Sequence, residues 1–489
     1  MKNSESSTHR RRFLKSVVAG VAIGSSGVQV RLAEGADNQK GQTPAVFPEL
    51  AKGEVLRTDG ELISEEALRE SARTIPVAGQ SDVLVCGGGP AGIGAALAAA
   101  RAGASVQLIE VGGCLGGVWT AGLLTKILNG GGKAGVMQEL LSDLAERGSS
   151  VARETSGTVY DPELMKLLLE EKCVEAGVKI QLHTRLVGTI TDQRNRITAI
   201  ITESKSGRQA WVAQRFIDCT GDGDLAAQAG CQFDVGIGSQ CECQPMSLIA
   251  LLTGIEPSEV TEFIRENGSA AKSRLLKLMR GAGIKPSYRA PTLRHLHSGI
   301  FSLMTNHEYG VSATDAGQIT EATIRARAEV HAIVHDLRKL GGPWSNLAVV
   351  ATAEQIGVRE GRRIRGRYTI TGNDIITGLR HKDAVCRANF AIDVHNVFPD
   401  GSNPADVKRY RSAGVKAYDI PLPALIAADV DGLMMAGRCI SGDFIAHSSY
   451  RVTGNSVPMG EAAGLTSVAS LKQGVMPHEL SWDTVQKAT

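Results

Sequence analysis

Residues 82–110 have the sequence DVLVCGGGPAGIGAALAAARAGASVQLIE, and this stretch decides the fold. The short apolar run at residues 83–86 is typical of a buried strand. Glycines follow it, and an alanine-rich segment up to about residue 102 predicts a helix. A second apolar run, residues 105–109, predicts a further strand that ends in Glu110. The stretch therefore predicts a complete β-α-β unit.

Three glycines with the spacing G-x-G-x-x-G lie between the first strand and the helix. In such units the first glycine permits a tight turn, the second lets the backbone approach a pyrophosphate, and the third lets helix and strand pack closely. The helix N-terminus faces the phosphates, and the acidic residue that closes the second strand accepts from the ribose hydroxyls. A second match to the glycine pattern, at residues 130–135, has neither the preceding strand nor the acidic residue that closes a second strand. We interpret it as a loop. The predicted dinucleotide contacts are Gly87, Gly89, Pro90, Ala91, Gly92 and Glu110.

Length and composition allow two or three domains and argue against several classes of partner. The chain has 489 residues, 43% of them hydrophobic, so it can bury a substantial core. Its net charge is +2; residues 1–35 hold six Lys or Arg and two Glu, a balance of +4, which leaves −2 for the remainder. A nearly neutral remainder gives no basis for binding nucleic acid or an acidic membrane surface.

The N-terminus resembles a twin-arginine export signal. Residues 10–15 are R-R-R-F-L-K, a weakly apolar stretch covers residues 16–30, and small residues suited to cleavage lie at 33–35. A membrane anchor is the alternative, but spanning a bilayer takes about 20 strongly apolar residues, and this stretch is short and rich in glycine. We therefore predict a signal peptide at residues 1–35 and export, to the periplasm or beyond, by the twin-arginine machinery.

The rest of the chain alternates between segments with strand and helix patterns and a polar segment with a different composition. A helix capped by Asp161 and a β-meander follow the first unit, and a region rich in His, Arg and Asn then precedes a return to strand character near residue 432. These patterns place the chain in the α/β class, as a discontinuous Rossmann-type domain with an inserted α+β substrate domain. The predicted divisions are a linker with a short helix (36–77), the first part of the nucleotide domain (78–235), the substrate domain (236–418), the second part of the nucleotide domain (419–475) and a tail (476–489).

Nine cysteines form no C-x-x-C pair, so we predict neither a metal site nor a disulfide framework. Cys86 and Cys219 lie in apolar runs and are expected to be buried. Cys241 and Cys243 are two residues apart, a spacing that puts their side chains on opposite faces of an extended segment.

Residues 81–122, the run C-T-G-D-G-D at 219–224 and the run G-L-M-M-A-G-R at 432–438 together resemble the bacterial FAD-dependent oxidoreductase family, which is related to the succinate dehydrogenase and fumarate reductase flavoproteins. The resemblance covers most of residues 80–472 and implies FAD as the cofactor. No second strand-plus-glycine unit for a nicotinamide nucleotide is present in the sequence, and the electron acceptor is left open. The resemblance implies cofactor contacts beside the adenosine half, along the ribityl chain and against the isoalloxazine, at Thr220, Gly221, Asp222, Gly437, Arg438 and Gly117.

The C-terminal run H-S-S-Y-R-V-T-G-N-S, residues 447–456, is similar to the H-G-x-N-R-x-x-x-N-S segment of the fumarate reductase relatives. That similarity implies that Arg451 binds a substrate carboxylate and that the amides of Asn455 and Ser456, at a helix N-terminus, face the pyrimidine carbonyl of the flavin. Helix N-termini stabilise negative charge, and reduced flavin is anionic there. Because Tyr450 replaces the family's asparagine, dicarboxylate specificity is not predicted.

We expect an oxidoreductase that transfers a hydride between a small organic substrate and flavin N5. His447 would move a proton and Arg451 would hold an anionic or carbonyl oxygen. Arg359 and Arg363 are further substrate candidates, although a run of arginines is more often a charged face. His295 and His297 are candidates of the same kind, with solvated loop histidines as the alternative. The alternative function is a flavin-binding electron-transfer subunit that works with a partner protein.

Overall fold

The computed structural model describes residues 59–151, 157–238, 240 and 242–489, so the predicted signal peptide and most of the linker lie outside the described residues. The strands are β1 (Gly60–Ser64), β2 (Ala67–Glu70), β3 (Val77–Cys86), β4 (Val106–Ile109), β5 (Lys126–Ile127), β6 (Ser150–Val151), β7 (Thr158–Tyr160), β8 (Lys179–Gln181), β9 (Arg185–Thr191), β10 (Ile197–Ser204), β11 (Gly207–Asp218), β12 (Phe233–Asp234), β13 (Ala250–Thr253), β14 (Thr292–His297), β15 (Ile300–Met304), β16 (Ala348–Thr352), β17 (Arg363–Ile364), β18 (Ala384–Ala388), β19 (Tyr418–Pro421) and β20 (Leu433–Met435). The α-helices are α1 (Pro90–Arg101), α2 (Gly135–Glu146), α3 (Pro162–Glu175), α4 (Asp224–Gln228), α5 (Ala271–Gly281), α6 (Ala316–Arg338), α7 (Gly372–Thr377), α8 (Ala405–Ala413), α9 (Phe444–Tyr450), α10 (Thr453–Gln473) and α11 (Trp482–Ala488). Within these ranges, no helix has the length and apolar character that crossing a bilayer requires.

The main sheet has seven strands in the order β8-β4-β3-β11-β10-β9, with β20 beside β11. Strands β8, β4, β3, β11 and β20 run parallel, whereas β10 and β9 form an antiparallel meander. The long strand β11 pairs with β10 along residues 207–212 and with β20 along residues 216–218. The predicted α/β class and Rossmann-type sheet are confirmed.

Helix α1 follows β3 directly and leads into β4, as the β-α-β pattern predicts. It begins after Gly89 with Pro90 in its first turn, and no side chain caps it. Proline suits this position because its missing N–H would have no partner inside the helix. The amides of the first turn therefore face outward from the carboxyl edge of the sheet, where a ligand can use them.

Helix α10 packs against α1 at a distance that only glycine allows. A Cβ on Gly460 would lie 1.9 Å from the carbonyl oxygen of Ala91, and a Cβ on Gly464 would lie 2.4 Å from that of Ala95. From the other helix, a Cβ on Gly94 would lie 2.3 Å from a backbone oxygen of α10. These glycines hold the N-terminus of α10 beside the N-terminus of α1. The sequence predicts that this helix starts near Pro458, but it starts at Thr453.

The short helix predicted in the 36–77 linker is wrong for its described part. Residues 60–70 form the antiparallel hairpin β1–β2, whose side chains are all exposed. The Glu66 amide donates to Ser64 Oγ at the turn, at 3.2 Å, and Arg69 pairs across the strands with Glu61 at 2.7 Å. A helix of this length with no buried face is marginal in water. The hairpin ends at Glu70, whose carboxylate lies 2.8 Å from Arg73 and 3.6 Å from Arg208 of β11.

A second unit lies beside the main sheet. Strands β14, β15, β13 and β16 form an antiparallel sheet in that order, and helices α5 and α6 pack on it. Its core is separate and includes Leu252, Phe301, Leu303 and Val330. The segment from β17 to β19, which the sequence assigns to the substrate domain, contributes to the main core instead. The domain boundaries themselves stay predictions.

Candidate active site

A cavity opens at the carboxyl edge of the parallel strands, between the glycine loop and the N-terminus of α10. Its empty space is about 1250 Å³, including the part open to solvent. Ligands of open α/β sheets bind at this edge. The predicted site residues that line the cavity are Gly87, Gly89, Pro90, Ala91, Glu110, Gly117, Thr220, Gly221, Asp222, Gly437, Arg438, Arg451 and Ser456. Those that do not line it are Gly92, Asn455, His447, Arg359 and Arg363.

The three glycines of the loop are required for different reasons. Gly87 has a φ of +97°, and a Cβ there would lie 2.4 Å from the carbonyl oxygen of Cys219. A Cβ on Gly92 would lie 1.8 Å from the carbonyl oxygen of Gly87. A Cβ on Gly89 would meet no described atom within 4 Å, because this residue borders the cavity. The loop thus leaves backbone exposed to open space, which fits the close approach of a pyrophosphate.

Glu110 is buried and fixed by the backbone. Its Oε2 accepts from the amide of Gly88 at 2.6 Å, and its Oε1 accepts from the amide of Gly112 at 2.7 Å. A carboxylate has about four acceptor positions, so two of them are left over. Because Glu110 also lines the cavity, its position fits the predicted contact with ribose hydroxyls.

Asp218, which the sequence reasoning missed, holds the turn that follows β11. Its Oδ1 accepts from the amide and the hydroxyl of Thr220, at 3.0 and 2.7 Å, and its Oδ2 accepts from the amide of Ala226 at 2.9 Å. Burial raises the pKa of Asp218 to about 6 despite these bonds. Its place at the end of a strand, directly before the C-T-G-D-G-D run, is the signal that could have identified it. Beyond this turn, Arg438 Nη2 donates to Asp222 Oδ1 at 2.6 Å.

Several buried polar atoms near the predicted flavin contacts lack a hydrogen-bond partner among the described residues. An unpaired buried group costs about 1–3 kcal/mol, so a native structure that keeps several close to one cavity is expected to pair them with a ligand. Three of these atoms belong to residues that line the cavity: Arg438 Nε, Arg451 Nε and Thr453 Oγ1. Trp119 Nε1 and both ring nitrogens of His447 are also unpaired, but these two residues do not line it. The glycine loop and these unpaired groups together fit a dinucleotide with a polar ring system, as FAD is.

The first turn of α10 is already partly hydrogen-bonded. The amides of Asn455 and Ser456 donate to the carbonyl oxygen of Val452, at 3.0 and 3.2 Å, and the amide of Gly454 donates to Leu128. Thr453 lines the cavity, and its hydroxyl is one of the unpaired groups. The predicted contact of the Asn455 and Ser456 amides with the flavin stays a prediction.

His447 lies on α9 and is fully buried. Its ring packs edge-on against Tyr450, with ring centroids 5.5 Å apart. Burial, with the charges of Arg363 and Arg451, lowers the pKa of His447 well below its usual value. The imidazole is therefore neutral at physiological pH, with one nitrogen able to donate and the other able to accept.

The other two predicted arginines are engaged by the protein. Arg363 forms a buried ion pair with Glu360 and donates to the carbonyl oxygens of Gly442 and Gly236, at 3.1 and 2.9 Å. Arg359 donates to Ser247 Oγ at 2.9 Å and to a nearby carbonyl oxygen. Their contact with a substrate stays a prediction.

The two histidines considered as further candidates lie on strand β14, not in a loop, and apart from this cavity. His297 pairs with Asp161 at 3.2 Å, and His295 packs against the ring of Phe301. Neither histidine lines the cavity.

A polar cluster beside Arg451 was missed by the sequence reasoning. Arg451 Nη2 donates to the carbonyl oxygen of Asp393 at 2.9 Å and to Gln244 Oε1 at 3.3 Å. Gln244 Oε1 also accepts from the amide of His395 at 3.1 Å, and the ring of His395 contacts that of His307 at 3.2 Å. The D-x-H spacing at 393–395, which puts both side chains on one side of an extended segment, is the available signal.

Charge and burial set the protonation of this cluster. Burial and the charge of Arg359 lower the pKa of His395 to about 4 and that of His307 further. For Asp393, burial acts in the opposite direction, but His395 and the neighbouring arginines outweigh it and lower the pKa. At neutral pH the cluster therefore holds an ionised Asp393 and two neutral imidazoles.

The sequence pattern of the family described as FAD dependent oxidoreductase matches residues 82–488. Among solved structures, the chain is similar to a geranylgeranyl bacteriochlorophyll reductase-like protein from Thermoplasma acidophilum, to the flavin-dependent brominase Bmp2 and to the p-nitrophenol 4-monooxygenase PnpA from Pseudomonas putida DLL-E4. Each is 12% identical with a TM-score of 0.44, over 84% of this chain and 82%, 82% and 84% of the respective partner. The family match spans every residue that lines the cavity.

Proposed function

Because this chain belongs to the FAD dependent oxidoreductase family, with FAD as its cofactor, we propose that it transfers a hydride between a small organic substrate and the flavin. Bound FAD supplies the two-electron chemistry at its N5. The observation that carries the proposal is that Arg451, a cation, lines the same cavity as the glycine loop and the Glu110 carboxylate. One cavity thus offers a dinucleotide cradle and a charged group for a substrate.

Arg451 would hold an anionic or carbonyl oxygen of the substrate. Its Nη2 is engaged by Asp393 and Gln244, which fix the direction of the guanidinium, whereas its Nε is buried and unpaired within the described part of the chain. Burial lowers the pKa of Arg451, but a guanidinium keeps its charge in proteins. A fixed cation in a partly dry site stabilises the negative charge that develops on such an oxygen.

His447 would hold or move a proton at one of its ring nitrogens. Support comes from its neutral state and from the lack of a partner for either nitrogen among the described residues. Replacing His447 with Gln should then abolish turnover while the flavin stays bound. Full turnover of His447→Gln would contradict this role.

The test starts from the visible spectrum of the purified protein and its anaerobic exposure to sugars, hydroxy acids and unsaturated acids. We expect flavin bands and bleaching by one of these compounds. In Arg451→Ala, bleaching by that compound should slow by about 100-fold or more, because one electrostatic contact to the developing charge is lost. Arg365→Ala is the matched control, since Arg365 is half exposed and pairs with Asp234. Equal rates in both variants would contradict the role of Arg451.

An electron-transfer subunit is the alternative that the same experiment separates. It would show flavin bands but no bleaching by any small molecule, and reduction only when a partner protein is added. The electron acceptor in either case is a proposal without an assigned identity.

Two further proposals rest on the sequence. The run at residues 447–456 supports a relation to the succinate dehydrogenase and fumarate reductase flavoproteins, and residues 1–35 support export by the twin-arginine machinery to the periplasm or beyond. Replacing Arg11 and Arg12 with Lys should keep the full chain in the cytoplasmic fraction. Unchanged export of that variant would contradict the signal.

A further inference from the structure

Four side chains from the edge of the second unit and the segment that follows β18 form a continuous chain beside Arg451. We propose that Asp393, His395, His307 and Tyr309 form a proton wire that serves the substrate end of the cavity. The inference rests on the proposed hydride transfer, because such a reaction also moves a proton.

The contacts of the wire run in one line. Asp393 Oδ2 lies 3.4 Å from His395 Nε2, and His395 Nδ1 lies 3.2 Å from His307 Nε2. His307 Nδ1 then lies 3.3 Å from the hydroxyl of Tyr309. Each histidine therefore uses both of its ring nitrogens, one toward each neighbour.

Because both imidazoles are neutral, only one assignment of donors and acceptors fits these contacts. An ionised Asp393 can only accept, so His395 carries its proton on Nε2 and accepts at Nδ1. His307 then carries its proton on Nε2 and accepts at Nδ1 from the Tyr309 hydroxyl. Burial is the main reason why both rings stay neutral, since it lowers the pKa of each. The charge of Arg359 acts on both rings in the same direction, that of Lys272 on His307 and that of Arg451 on His395. The ring of Tyr288 packs over His307, with centroids 4.2 Å apart, and holds the imidazole in place.

Burial identifies the end of the wire that meets the substrate. The Asp393 side chain is 42% exposed, whereas that of His395 is 14% exposed and His307 is buried. Asp393 Oδ2 also lies 3.7 Å from Arg451 Nη2, and Arg451 lines the cavity. Asp393 does not itself line the cavity, so its carboxylate is the end of the wire that would reach a substrate beside Arg451, and Tyr309 forms the opposite end.

The wire balances the reaction. Reducing a C=C or C=O bond adds a hydride and a proton. His395 would give its Nε2 proton to the ionised Asp393, which passes a proton to the substrate, while His307 reprotonates His395 at Nδ1, Tyr309 reprotonates His307 at Nδ1, and water reprotonates Tyr309. Oxidising an alcohol removes both, and the ionised Asp393 would accept the proton; the histidines can carry it toward Tyr309 only after both rings have moved their own proton from Nε2 to Nδ1. Each passage reverses the order of donors, so the resting order favours delivery toward Asp393.

The first test needs no substrate. ¹⁵N NMR spectra of the oxidised holoenzyme, with labelled histidines, should show both His307 and His395 neutral with the proton on Nε2 at pH 7. Tyr309→Phe should shift the Nδ1 resonance of His307, because that nitrogen loses its donor. A proton on Nδ1 of either ring, or a charged ring at pH 7, would overturn the wire.

The second test measures proton transfer in the reaction, with the panel compound that bleaches the flavin. Tyr309→Phe and Asp393→Asn should keep their flavin but slow bleaching by about tenfold and 100-fold, the scale of acid–base contributions, and should change the solvent deuterium isotope effect and the pH profile. Tyr368→Phe is the matched control, because the hydroxyl of Tyr368 is bound to Asp374 elsewhere in the fold.

The outcomes separate this inference from the proposed function. If no compound bleaches the flavin, hydride transfer from a small substrate fails, whatever the histidine spectra show. If a compound bleaches it and the isotope effect and pH profile are the same in Tyr309→Phe as in the parent protein, the wire alone fails.

Discussion

At one end of the cavity, the glycine loop and the turn after β11 present backbone atoms whose positions are fixed by packing. At the other end, Arg451 lines the cavity with its Nε unpaired among the described residues, and Asp393, which contacts His395, lies 3.7 Å from Arg451 Nη2. The first end is made from short continuous segments, and the second from residues that the fold gathers from distant parts of the chain. Backbone packing therefore fixes the atoms of the cofactor end, whereas the protonation states of the side chains at the substrate end depend on the charges of their neighbours.

The largest effect is expected where the cofactor end is packed most closely. Gly460→Ala puts a methyl group 1.9 Å from a backbone oxygen of α1, so the helices must separate, at a cost of about 3 kcal/mol in the free energy of unfolding. Urea denaturation measures this loss. Gly281→Ala is the control, because no described atom lies within 4 Å of its Cβ position. Equal stability of the two variants would mean that the contact between α1 and α10 is looser than described.

The charge balance of the other end should make stability depend on pH. Because the pKa of His395 falls to about 4 on folding, the unfolded chain binds more protons than the folded one below about pH 6.5, and acidification destabilises the fold. One such histidine lowers the free energy of unfolding by about 2 kcal/mol between neutral pH and pH 5. His307 acts in the same direction, whereas Asp393 stays ionised over this range.

Denaturation curves at several pH values test this contribution. His395→Asn should be less sensitive to acid than the parent protein between pH 6.5 and 5. His335→Asn, on the exposed face of α6, should keep the parent dependence. If His395→Asn loses as much stability on acidification as the parent, the imidazole is not held neutral.

A smaller effect, limited to cofactor binding, is expected at Gly89. Gly89→Ala adds a methyl group that meets no described atom within 4 Å, so the apoprotein should keep its stability. The methyl group occupies the space a pyrophosphate would approach, and FAD affinity should fall by about tenfold. Fluorescence titration of the apoprotein with FAD measures this. Unchanged affinity would show that the pyrophosphate does not bind at this loop.

The smallest effect compares two threonines of one helix. The hydroxyls of Thr453 and Thr466 are both buried without a partner among the described residues, but only Thr453 lines the cavity. Thr453→Val should lower FAD affinity by about fivefold, the worth of one hydrogen bond of about 1 kcal/mol. Thr466→Val should leave the affinity unchanged. Equal affinities would show that the Thr453 hydroxyl does not contact the cofactor.

The cofactor end could be predicted because each of its signals is local. The glycine spacing, the strand before it and Glu110 lie within 29 residues, and the physical demands of a tight turn and a close helix–strand contact act on neighbours in sequence. Asp161 likewise caps α3 through the amide of Glu163, two residues away. The β1–β2 hairpin was missed because its exposed residues have no buried face to reveal a period.

The sequence by itself determined the Rossmann-type class, the FAD family and the loop that lines the cavity, because those depend on contacts between residues close together in the chain. Only the tertiary structure decided that Asp393 and Gln244 meet Arg451 and that His307 meets His395. Those contacts join residues far apart in sequence, whose meeting depends on how the second unit and the segment after β18 pack beside the main sheet. No local sequence pattern predicts such packing. The grouping of charged side chains at the substrate end could therefore be seen only in the folded chain.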